Sequence, residues 1–269
     1  MKQSAGTTDN VEQVLLCEDT LEGIFTGVYE AYAGKYTLDR VRLAAGEENE
    51  MRLFCVYHSI ATDREKAAKV ARTVRRLAGE EVYWQLCTAL SSTDSRKAQA
   101  VFQTIVRIVQ DPDRAARVMI RLAEPPVHTV FTISRNVQNE IHHLREFLRF
   151  RELENGMLYS CIGPHNDILL YLMPHFADRF PLENFLIYDE GRELLGVHPA
   201  RQEWYLMNGI RPEPELLSLS DKEDKYQELF RYFCKKIAIK ERENLNLQRN
   251  MLPLRFRDYM VEFTPKEKN

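Results

Sequence analysis

Residues 11–18 read as a short strand. Asp19-Thr20 then offers a helix cap ahead of Leu21, Ile24, Phe25, Val28 and Tyr32, which recur at helical spacing. The chain thus opens with a strand-to-helix unit, and Gly34 is expected to close that helix through a left-handed backbone. Residues 52–58 read as the next strand, with Leu53, Cys55 and Tyr57 on one face. From 62 to 122 the period is helical throughout. Breaks at Gly79, at residues 91–95 and at Asp111-Pro112-Asp113 predict four helices. The first, 63–77, turns Ala67, Val70, Ala71, Val74 and Leu77 inward and leaves Arg64, Lys66, Lys69, Arg72, Arg75 and Arg76 largely outward.

After Pro125-Pro126 another helix runs through Val130, Ile133, Val137, Ile141 and Leu144. The period then becomes alternating: Leu148 and Phe150 face one side, Arg149 and Arg151 the other. Glu154-Asn155-Gly156 supplies a hairpin turn before residues 157–162 return. Pro164 to Asn166 leads into a further helix with Asp167 near its positive end, and Pro174 is expected to kink or restart it. Residues 185–189, 193–199 and 202–207 read as three more strands, 211–221 as a surface connection, and 222–249 as one long helical segment.

The pattern predicts a mixed α/β (α+β) fold in a single domain. Its subregions are a strand-helix-strand piece (11–60), a helical section (61–145), a hairpin sheet with a helix (146–210) and a C-terminal helix with a tail (222–263). A mixed or antiparallel sheet, drawn from the N-terminal strands and the hairpins of 148–207, is expected to lie under the helical middle and the C-terminal helix. Phe230, Phe233 and Ile237, at helical spacing, are expected in the core.

Composition narrows the function classes. An apolar content of 44% over 269 residues can fill a core, and a net charge of -3 means that any nucleic-acid contact must use a local basic face. The longest apolar runs, such as 168–173, fall short of the roughly 20 residues that span a bilayer, and the polar N-terminus lacks a secretory pattern. No membrane association and a cytoplasmic location are expected. Cys17, Cys55, Cys87, Cys161 and Cys234 are too far apart for a local zinc or iron-sulfur signature and read as reduced thiols. No resident metal or cofactor is read from the chain.

Glu140-Ile141-His142-His143, then Phe147-Leu148-Arg149-Phe150-Arg151, Pro164-His165-Asn166-Asp167-Ile168-Leu169 and Pro174-His175-Phe176-Ala177-Asp178-Arg179-Phe180 form one pattern. It continues through Ile187-Tyr188-Asp189 and Arg192 to Ile239-Lys240-Glu241-Arg242-Glu243-Asn244, Leu247-Gln248 and Leu252-Pro253-Leu254-Arg255-Phe256-Arg257. This pattern resembles an uncharacterised bacterial family of DNA metabolism or repair proteins. It departs from that family where Asn166-Asp167 stands in place of a His-Asp pair. The resemblance implies a domain that also occurs fused to uracil-DNA-glycosylase-like domains and that accompanies a radical SAM partner acting on DNA. It carries over no established catalytic residues.

The chemical candidates follow from residue type. His142 and His143 near a helix end, and His165, Asp167 and His175 in one helix-turn unit, could serve acid-base or metal chemistry; none has the i, i+4 spacing of a helical metal pair, so capping and packing are the plainer reading. Arg149, Arg151, Arg179 and Arg192 suit phosphate recognition, the alternative being pairing with Glu152, Asp178, Asp189 or Glu190. From Arg231 to Arg257, eight basic residues, among them Lys235, Lys236, Lys240, Arg242, Arg255 and Arg257, stand against two acidic ones, the footprint expected for a polyanion. Phosphate-loop, Rossmann-glycine, Gly-x-Ser-x-Gly and Cys-x-x-Cys patterns are all missing, as is the three-cysteine motif of a radical SAM enzyme. Three functions remain: a DNA-binding accessory of a partner repair or modification enzyme, an enzyme acting on DNA or nucleotides through a His/Asp site, and a module that binds only protein.

Overall fold

In the computed structural model, residues 11–34, 36–46, 52–237 and 244–263 are described. The fold is mixed α/β, as the pattern predicts, but its strands form two sheets rather than one. The chain divides into two compact units, residues 1–138 and 139–269.

In the first unit β1 (Glu12–Cys17) leads into α1 (Leu21–Ala33), whose N-cap Thr20 accepts from the Gly23 N–H at 2.9 Å. Gly34 closes α1, but at φ -77° its backbone is not left-handed; a Cβ there would collide with the Tyr36 ring, so glycine is needed for room. A strand missed by the sequence pattern, β2 (Val41–Ala45), pairs with β1 in parallel, and β3 (Cys55–Ile60) pairs in parallel on the other side, giving the order β2-β1-β3. Val41-Arg42-Leu43 alternates for only three residues before Ala44-Ala45, too short a run to announce a strand.

The helical section follows as α2 (Arg64–Ala78), α3 (Glu80–Leu90) and α4 (Lys97–Gln110), with a 3-10 helix over Pro112–Ile120 in place of a fourth α-helix. Only Gly79, at φ 90°, separates α2 from α3, an angle that disfavours any side chain. The inward set of α2 is largely as the period gives it, with Ala67, Val70, Ala71, Val74 and Ala78 buried. Its basic face is tied within the unit: Lys66 meets Glu30 at 2.6 Å, Lys69 stands over the Tyr29 ring, and Arg75 meets Glu80 at 3.2 Å. Helix α5 follows over Pro125–Phe147.

The second unit is built on the order β4-β5-β6-β7-β8: β4 (Arg151–Glu152), β5 (Leu158–Ile162), β6 (Phe185–Asp189), β7 (Leu194–His198) and β8 (Tyr205–Asn208). Only β5 and β6 are parallel, because α6 (Leu169–Arg179) carries the chain between them; every other pair is antiparallel. The hairpin turn forms with Gly156 at φ 79°. Pro174 lies inside α6 without ending it. The C-terminal segment is not one helix: α7 (Asp221–Ile237) is followed by α8 (Leu245–Met251), which Asn244 caps anew by accepting from the Leu247 N–H at 3.0 Å, and then by α9 (Leu254–Arg257). No α7 side chain is buried, and Phe230, Phe233 and Ile237 are exposed rather than in the core. Among the described residues no helix is long and apolar enough to cross a membrane.

Candidate functional site

The ends of two helices in the second unit form a groove of about 750 Å³. Helix α5 contributes His142, Arg145 and Glu146, and Arg149 continues the same face one turn on; the steps of three and four are those of one helical face. Helix α6 contributes His175, Phe176 and Arg179, and Phe180 follows as its C-cap, so that 175/179 and 176/180 are two further i, i+4 pairs. Leu148 and Phe150 complete the lining, and the Phe150 ring packs edge-on against Phe176, Phe180 and Phe185 with centroids 5.4 to 5.6 Å apart. An aromatic wall is therefore rimmed by cations.

Each rim group has a defined setting. Arg145 donates to the Tyr171 carbonyl at 3.1 Å, and Arg149 donates to the carbonyls of Glu146 and Leu148 and to Glu262 at 3.1 Å. The Arg149 contacts to Glu146 and Leu148 also satisfy carbonyls at the end of α5, where its partial negative charge lies. His142 faces Glu146 at 3.1 Å. The Arg179 guanidinium lies 5.7 Å from the Phe180 ring centroid, and no carboxylate among the described residues forms an ion pair with it. Burial, and then the charges of Arg145 and Arg179, hold His175 below the usual imidazole range. The arginine charges thus converge where His175 sits.

The other sequence candidates lie elsewhere. His143 packs against Phe147 and Phe256, with centroids 6.1 and 5.9 Å away, and is a packing residue. His165 and Asp167 are exposed and do not line the groove; the turn around them is fastened by the buried Glu140, which accepts the His165 N–H at 2.9 Å, the Asn166 N–H at 3.0 Å and the Asn166 side-chain amide at 2.6 Å. Among the described residues, no group of three His, Cys, Asp or Glu side chains is arranged to hold a metal ion.

The four arginines expected to share a phosphate-facing surface are also divided. Arg149 precedes β4, so it does not share a strand face with Arg151, which lies within β4 opposite Tyr159. Arg192 is engaged by Asp189 at 3.1 Å and by the Pro164 and His165 carbonyls. Arg255 pairs with Glu140 at 2.9 Å, and Arg257 stands over the Phe263 ring. Lys235 and Lys236 are exposed on α7; Lys240 and Arg242 lie outside the described residues. Arg145 was missed by the sequence reading. The signal was present as the His142, Arg145 and Arg149 spacing, but the change of period after Leu144 drew attention to a strand face.

No curated protein matches the chain. A solved DHH domain, described as a member of the s1p family of ribosomal proteins, superposes with a TM-score of 0.39 at 10% identity, covering 71% of this chain and 74% of that one. The family described as a domain of unknown function, DUF4130, matches residues 95–262, a span that takes in every residue of the groove. With more than half of its length matched, the chain belongs to the DUF4130 family.

Proposed function

We propose that the second unit binds a nucleic-acid strand in the groove at the ends of α5 and α6, as the DNA-contacting accessory of a partner repair or modification enzyme. The observation that carries this reading is the convergence of Arg145, Arg149 and Arg179 over an aromatic wall, with Arg179 in no carboxylate ion pair among the described residues. Guanidinium groups match phosphate oxygens in pairs, and Phe150 and Phe180 offer ring surface for a base; a strand held by both needs no sequence-specific contact. The partner class, a radical SAM-type protein or a uracil-DNA-glycosylase-like domain, comes from the sequence resemblance alone.

Fluorescence anisotropy with a labelled single-stranded oligonucleotide tests the proposal. Binding should weaken with salt, and Arg145→Ala and Arg179→Ala should each lower the affinity and flatten the log-log salt slope by about 0.7, the value for one phosphate contact on a single strand. Absence of measurable affinity at low salt would sink the reading. Co-purification of a partner without DNA affinity would point instead to a protein-only module.

One observation favours the enzymatic reading: His175, held toward its neutral form, lies on the same rim as His142. Turnover of uracil-containing or abasic DNA that disappears in His175→Ala would establish it; no turnover by the unaltered protein would remove it.

A further inference from the structure

One cation of the groove is held by a carboxylate from 113 positions further along the chain: Arg149 donates through Nη2 to Glu262 Oε1 at 3.1 Å. With Nη1 fixed on the Glu146 and Leu148 carbonyls, Nη2 is the group turned to an anion, and Glu262 occupies it. Two successive turns after α9 bring Glu262 there. The Met260 N–H donates to the Arg257 carbonyl at 3.1 Å, and the Phe263 N–H to the Met260 carbonyl at 3.0 Å. Buried Phe256, Met260 and Val261 anchor these turns, and Arg231 donates to the Val261 carbonyl at 3.0 Å.

The Glu262 side chain is only 13% exposed, yet its second oxygen, Oε2, is buried without a hydrogen-bond partner among the described residues. Arg257, five positions earlier, has the complementary deficit. Its Nε and Nη2 are buried and find no partner among the described residues, while the guanidinium stands 4.8 Å from the centroid of the Phe263 ring. Unpaired oxygens and N–H groups of charged side chains cost free energy when buried. A carboxylate with a free oxygen and a guanidinium with free N–H groups thus share one short stretch of chain.

We propose that Glu262 stands in for a strand phosphate on Arg149 and turns to Arg257 when a phosphate takes that place, so that the C-terminal turns gate the groove. Carboxylate and phosphate present similar acceptor oxygens to a guanidinium and therefore compete for it. A displaced carboxylate left without a cation would oppose binding, and the free N–H groups of Arg257 remove that penalty. Each tight turn spans less than about 7 Å, so changes of side-chain torsion suffice to join the two residues. The closed and open states exchange one carboxylate–guanidinium pair for another, and the bound phosphate decides between them. This inference rests on the nucleic-acid reading of the groove and adds its regulation.

Anisotropy titration of the full chain with a labelled single-stranded oligonucleotide tests the proposal, with thermal melts to verify folding. Glu262→Gln should tighten binding about fivefold, the factor by which a competing ion pair of ordinary strength lowers apparent affinity. Glu262→Asp, which keeps the charge but shortens the reach to Arg149, should tighten it in the same sense. Asp258→Asn removes the same charge from an exposed position of the same segment and should change affinity less than about twofold, since exposed charges are screened. Arg257→Gln should weaken binding in the unaltered chain and have no effect once Glu262→Gln is present. Equal effects of Glu262→Gln and Asp258→Asn, no tightening by Glu262→Asp, or an Arg257→Gln effect that is the same in both backgrounds would overturn the gate, while oligonucleotide binding by the unaltered protein would leave the reading of the groove intact. Absence of binding by every form would overturn both.

Discussion

The carboxylate of Glu140, only 2% exposed, meets the Arg255 guanidinium at 2.9 Å while accepting the N–H groups of His165 and Asn166. A buried carboxylate so enclosed joins the end of α5, the turn before α6 and the C-terminal α9. Glu140→Gln keeps the shape but leaves Arg255 without its counter-charge. It should cost about 1–3 kcal/mol, the range for hydrogen bonds to a charged group, because Arg255 is itself 37% exposed and water can take up its charge. The measurement is the chemical denaturation midpoint; a loss below 1 kcal/mol would show that the pair is not a fastening. Arg255→Met added to Glu140→Gln should cost less than the sum of the two single changes.

Arg179 and Arg192 should behave as opposites. Arg179→Ala removes a groove cation with no ion-pair partner, so it should weaken oligonucleotide binding with little change in stability. Arg192→Ala leaves Asp189, fully buried, without its cation and two carbonyls without their donor, so it should lower stability first. Titration of both proteins with the same oligonucleotide, alongside thermal melts, separates the two effects.

His175 offers a direct reading of the field in the groove. Its pKa lies below the free value of 6.5, through burial first and then through Arg145 and Arg179. Arg179→Ala should therefore raise it, and a bound phosphate should raise it in the unaltered protein, both followed by NMR of the imidazole. Because the folded value is the lower one, protonation of His175 works against folding: its contribution is constant well above pH 6.5 and turns unfavourable as pH falls through that value.

The thiols predict alkaline behaviour. Burial pushes Cys17 up to about 12, and Cys87 and Cys161 to about 11, from an ordinary value of 9.0. Raised folded values mean that this stability is fully present below pH 9 and is lost as pH rises toward 11 to 12. Native alkylation at pH 7.5 should spare these three cysteines, as mass spectrometry would show. Cys17→Ala should flatten the fall in stability above pH 9.

Thr20 caps α1 with one hydrogen bond at 2.9 Å. Thr20→Ala should cost about 1 kcal/mol in the first unit, whereas Thr20→Ser should cost little. Denaturant unfolding of the two variants checks the difference.

Local signals were legible where one residue or one period decides the outcome. Thr20 marked a cap, Gly79 a break, Asn155-Gly156 a turn, and the repeat of Ala67, Val70, Ala71 and Val74 an inward face. Strand β2 escaped because Ala44 and Ala45 carry no strand preference and leave only Val41-Arg42-Leu43 to alternate. The single sheet became two because strand pairing is non-local, and nothing in residues 11–60 specifies a partner among residues 148–207.

The sequence by itself determined the mixed fold, most helix positions and the basic character of the C-terminal segment, since these depend on spacing and residue type over a few turns. The tertiary structure decided what each charge does. Glu140 and Arg255 are 115 positions apart, and only folding makes them a pair; Arg192 is taken by Asp189, while Arg179 is in no carboxylate ion pair among the described residues. It also turned Phe230, Phe233 and Ile237 outward, because helical period fixes which residues share a face but not which face meets the core.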